Sequence, residues 1–122
     1  MAETVAAARC AEYAPAAVVA ALDALWLKVF PDGDPFRPGQ SVLLKPNLLM
    51  AAAPERVITT HPALVEAVAR KLAGKGLRVA IGDSPGVGIF TLEQLWATTG
   101  MAAAAQATGA TLVPIETQGS TL

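Results

Sequence analysis

Three short stretches carry the polar groups that could do chemistry. Lys45-Pro46-Asn47 closes an apolar run, Thr59-Thr60-His61 opens a helical pattern, and Gly82-Asp83-Ser84-Pro85-Gly86 closes a second apolar run. They supply an ammonium, an amide, several hydroxyls, an imidazole and a carboxylate. In that company Lys45 would hold the carboxylate or phosphate of a small anionic molecule. Asn47 and Ser84 would orient it, and Asp83 or His61 would move a proton. Thr60 and the backbone N–H of Gly86 would add contacts, the latter as part of a phosphate nest. Each residue also has a plainer use. Lys45 can be a surface lysine, Asn47 a turn former, Thr60 or His61 a helix cap, and Asp83 a cap for the next element.

Other chemistries fit poorly. The stretch from Gly82 to Gly86 matches G-x-S-x-G, but the residue after Ser84 is Pro85, which has no N–H for an oxyanion hole. The one histidine, His61, precedes Ser84, whereas a triad histidine follows its serine in that fold. The glycines at 82, 86 and 88 miss the G-x-G-x-x-G offsets, and no Walker A pattern occurs. One histidine and one cysteine, far apart, give no zinc spacing.

The groups must be placed by the elements around them. Residues 4–10 form a weak apolar run that suits a first strand. Residues 14–30 repeat Val18, Leu22, Leu25, Trp26 and Val29 at helical spacing, between Pro15 and Pro31. Residues 31–39 are loop by composition. Residues 41–47 read as a strand buried on both faces, and 48–58 as an irregular loop. Residues 59–76 form the clearest helix, capped by Thr60 or His61 and stopped by Gly74 or Gly76. Residues 77–83 are a second buried strand. Thr91 and Gln94 make a capping box for a helix over 91–100, and a further helical piece spans 101–109. Residues 110–116 read as a last strand, with Pro114 arguing for a sheet edge.

This β-α-β-α-β-α-β order predicts an α/β domain with a mostly parallel four-stranded sheet and flanking helices, spanning 1–122. In such a sheet, ligands bind beyond the carboxyl ends of the strands. Lys45 with Asn47, and Asp83 with Ser84, then fall at one edge, beside the helix opened by Thr60 and His61.

The bulk composition narrows the function classes. The 122 residues are a one-domain length. They are 53% hydrophobic but only 5% aromatic, so leucine, valine and isoleucine must build the core. Nine basic and ten acidic residues leave a net charge of -1, with no basic stripe for nucleic acid. The lone cysteine, Cys10, cannot form an internal disulfide. No apolar segment reaches the ~18 residues of a membrane span. A cytoplasmic location is expected.

The runs "VLLKPNLL", "TTHPALVEAVARKL" and "GLRVAIGDSPG" closely resemble the N-terminal half of the domain of unknown function family 362. Its members carry similar K-P-N, T-H-P and G-D-S-P-G motifs in this order and spacing. The resemblance implies an α/β fold. In some members it implies a ferredoxin-type domain with four-iron, four-sulfur clusters, associated with oxidoreductases. Family chains are much longer, and this chain has no cluster-binding cysteine run. The expectation is therefore an N-terminal domain with no cofactor of its own, any cluster lying in a missing C-terminal region. Whether it is an enzyme stays open. The alternative is a non-catalytic binding or interaction module, completed by self-association or by that missing half.

Overall fold

The computed structural model describes residues 3–84 and 90–115. Helix α1 runs over Pro15–Val29 and strand β1 over Ser41–Leu44. A single 3-10 turn at Pro54–Arg56 leads into helix α2, Pro62–Gly74. Strand β2 (Arg78–Ile81), helices α3 (Leu92–Thr98) and α4 (Met101–Thr108), and a two-residue strand β3 (Thr111–Leu112) complete the order.

The helix starts follow local signals: proline in the first turn of α1 and α2, side-chain caps on α2 and α3, and a left-handed glycine before α4. Pro15 and Pro62 occupy first-turn positions that need no N–H. Of the two cap candidates for α2, His61 takes the role: its Nδ1 accepts the Ala63 N–H at 3.1 Å. Thr91 and Gln94 form the reciprocal capping box of α3. Gly100 caps α4 with φ +81, and a Cβ there would come within 2.8 Å of the Pro62 ring. No other residue type suits both the backbone and the space.

The sheet has three strands, all parallel, in the order β1-β2-β3. Ser41 lies beside Arg78, Leu44 beside Ile81, and Ile81 beside Leu112. Val42, Leu44, Val79, Ile81 and Leu112 all face the helices. There Val79 packs with Ala69 and Leu72 of α2, and Ile81 with Val65, Leu95, Trp96 and Met101. Helix α1 adds Val18 and Leu22 against Ala67. Among the described residues, the helices therefore cover one face of the sheet only.

Two expectations are corrected. The run at 4–10 forms no strand, so the predicted fourth strand is absent from the described residues. Its alanines offer little apolar area to bury, Val5 is 93% exposed, and Lys28 Nζ donates to the Ala7 carbonyl. Strand β1 is not buried on both faces. It is a sheet edge, with Ser41 and Leu43 on the uncovered side and Leu43 49% exposed.

The connection between α1 and β1 is pinned by one carboxylate. Asp34 accepts from the Trp26 indole at 2.8 Å and from the Phe36 N–H at 3.1 Å, and pairs with Lys75 at 2.8 Å. Lys75 and Trp26 together hold its carboxyl down at about 2, from an ordinary 3.8.

Candidate functional site

Parallel strands point their carboxyl ends the same way, so the residues following β1 and β2 must emerge together. They do. Lys45, the first residue beyond β1, places Nζ 2.7 Å from Oδ1 of Asp83, two residues beyond β2. The pair is asymmetric: the Lys45 side chain is 62% exposed and that of Asp83 only 5%. Oδ2 of Asp83 accepts the Leu48 N–H at 2.8 Å. Burial alone would raise the Asp83 carboxyl. The Lys45 ammonium and the backbone N–H groups of Leu48 and Ser84 outweigh it and hold the group below the usual carboxylate range. Asp83 is thus a fixed anion whose neighbours are donors.

The loop after Lys45 is tied to the start of α2. Asn47 N–H donates to Thr60 Oγ1 at 2.9 Å, and Thr60 N–H donates to the Asn47 carbonyl at 3.0 Å. Asn47 therefore contributes through its backbone, and Thr60 braces the loop instead of capping the helix. His61 follows directly. With Nδ1 accepting from Ala63, the proton of the neutral ring sits on Nε2, which makes that nitrogen a donor. The ring stacks on Tyr13, with centroids 3.6 Å apart and planes 4° from parallel. The Leu64 and Val65 amides are satisfied by the His61 carbonyl, so the start of α2 leaves no amide of its first turn for a ligand.

The structure therefore pairs Lys45 with Asp83 and Asn47 with Thr60, and the Leu48 amide ties their loop to Asp83; His61 follows Thr60 but bonds within α2 and stacks on Tyr13, and Ser84 is exposed beside Asp83. Gly86, the remaining candidate, lies outside the described residues. Sequence reasoning missed Tyr13, which no local spacing connects to His61. It also missed Leu48, whose contribution is a backbone amide. A surface hollow of about 310 Å³ is bounded by Cys10, Tyr13, Val18, Leu22, Leu25 and Leu64, and is not lined by Lys45 or Asp83.

The residues present do not fit an iron–sulfur cluster. Cys10 is the sequence's single cysteine, is exposed, and lies within hydrogen-bond reach of the Glu12 carbonyl, with Sγ to O 3.0 Å. Among the described residues, no group of three or more His, Cys, Asp or Glu side chains could hold a metal ion. No helix among them is long and apolar enough to cross a membrane.

Comparison with known proteins adds a lineage. A family model described as domain of unknown function (DUF362) matches residues 42–121. A stretch of 88 residues, 72% of the chain, is 36% identical to a thylakoid-associated protein of Synechocystis sp.. The chain covers 27% of that relative's length. No solved structure gives a significant match.

Proposed function

The chain belongs to the DUF362 family, and we propose that within it this domain binds a small anionic molecule at the carboxyl ends of β1 and β2. One observation carries the reading: an ammonium, Lys45, stands largely exposed at the strand ends while its counter-ion is buried. The pair fixes where Nζ sits, and the two remaining N–H donors of Lys45 are directed away from Asp83 toward a carboxylate or phosphate. His61 Nε2–H and the Ser84 hydroxyl would orient the same molecule. In this arrangement Asp83 positions Lys45, and His61 serves as a donor.

The larger protein in which such a domain works would be an iron–sulfur-associated oxidoreductase, its cluster held by thiolates from outside these residues. That part rests on the family resemblance. The domain would lie in the cytoplasm, and cell fractionation tests this against the relative's description as thylakoid-associated.

Thermal unfolding with inorganic phosphate and with malonate tests the binding reading. A ligand that binds only the folded chain stabilises it by about 2.7 kcal/mol at a hundredfold excess over Kd. Wild type is expected to melt higher with one of the two anions, and Lys45→Met to lose that response. An equal response in both proteins contradicts the assignment.

A second reading, an interaction module, is favoured by the uncovered sheet face, where Leu43 and Ala80 lie side by side between Ser41, Arg78 and Thr111.

A further inference from the structure

Thr59 does not behave like the two residues that follow it. Thr60 braces Asn47 and His61 caps α2, but Thr59 is 8% exposed and its Oγ1 has no hydrogen-bond partner among the described residues. A buried hydroxyl left unmade costs roughly 1–3 kcal/mol, and native folds seldom carry one without a use. Its position is informative. The paired bonds between Asn47 and Thr60 set those residues side by side. Thr59 is one step along from that link on one chain, and Leu48, whose amide binds Asp83, is one step along on the other. The unmade bond thus sits beside the loop that follows β1, which carries Lys45 and, through the Leu48 amide, holds Asp83.

We propose that the Thr59 hydroxyl is a ligand-recognition group, kept for a polar oxygen of the anion that Lys45 anchors. The inference rests on the anion-binding reading and deepens it. It makes the preferred ligand one with at least two oxygens, one paired with the Lys45 ammonium outside and one accepting the Thr59 O–H within. A phosphate or a dicarboxylate meets that requirement, and a halide does not.

The test compares wild type, Thr59→Val, Thr59→Ser and Lys45→Met in thermal unfolding, without added anion and across titrations of inorganic phosphate, malonate and chloride. Valine matches threonine in shape and lacks the hydroxyl. Without anion, Thr59→Val is expected to melt at or above wild type, because nothing in the fold uses the hydroxyl. With phosphate or malonate its affinity should fall about tenfold, the scale of a lost hydrogen bond to a charged group. Thr59→Ser should retain the wild-type affinity. If Thr59→Val melts several degrees lower without anion, or fails to fold, the hydroxyl has a structural partner and the inference is overturned. It is also overturned if Lys45→Met abolishes the anion response while Thr59→Val keeps it in full; the anion site then stands without Thr59. A wild type that answers to no oxyanion, or to chloride equally, removes both readings.

Discussion

A carboxylate with 5% of its side chain exposed must be met by donors, and Asp83 meets Lys45 on one oxygen and the Leu48 amide on the other. Removing it would strand a buried N–H and release the ammonium together. Asp83→Ala is therefore expected to lose about 1–3 kcal/mol in urea denaturation, the cost of an unsatisfied buried donor. Asp83→Asn keeps an acceptor for Leu48 and should fall between. Equal stability of wild type and the alanine variant would show that the Leu48 amide has another partner. At this scale the meeting of Lys45 and Asp83 was legible because each lies at the carboxyl end of an apolar strand, Lys45 directly after β1 and Asp83 two residues beyond β2. Thr59 was not, because the burial of a hydroxyl emerges only when the loop and α2 pack.

Elements meet where glycine permits. Gly82 closes β2, and a Cβ at that position would run into the Val113 carbonyl. The bond from Val113 N–H to the Ile81 carbonyl, 2.8 Å, lies in the same crossing. Gly82→Ala should cost about 1–3 kcal/mol by overpacking, read from the urea midpoint. An unchanged midpoint would mean that the chain beyond β3 yields freely. The motif glycine that invites a catalytic reading thus has a packing use of its own. A second element-scale device is Asp34, which ties α1, the following loop and the end of α2. Its folded value of about 2 lies below the ordinary 3.8, so its stabilisation is present above pH ~4 and is lost as the pH falls toward 2. Asp34→Asn should flatten that part of the acid-unfolding profile. A variant that unfolds along the wild-type profile between those limits would contradict the assignment. The helices were legible because proline starts, caps and three-and-four spacing agree. The strand expected at 4–10 was not formed, since a short run made mostly of alanine offers little apolar area to bury.

The whole molecule has helices on one face of a three-stranded parallel sheet and none, among the described residues, on the other. Parallel sheets are usually covered on both sides. The matched relative is far longer, with the chain covering 27% of it, so in relatives further chain is on hand for such a role. A second copy of this chain is another cover that the proposed interaction reading offers. Light scattering is expected to show concentration-dependent association that Leu43→Lys abolishes; a wild type that stays monomeric at all concentrations contradicts this. The continuous apolar run at 41–47 suggested burial on both faces, but the number of strands beside it and the cover on each face could not be read from it, and β1 is a sheet edge. The fold class and the meeting of the two strand ends were legible, since both follow from strand order. What matters most for function is whether that meeting point holds an anion. Phosphate and malonate titrations followed by amide chemical shifts of the isotopically labelled protein test this most directly. Anion binding there is expected to give saturable shifts concentrated at Lys45, Leu48, Thr59, His61 and Ser84. Small, unsaturable shifts spread over the surface would contradict it.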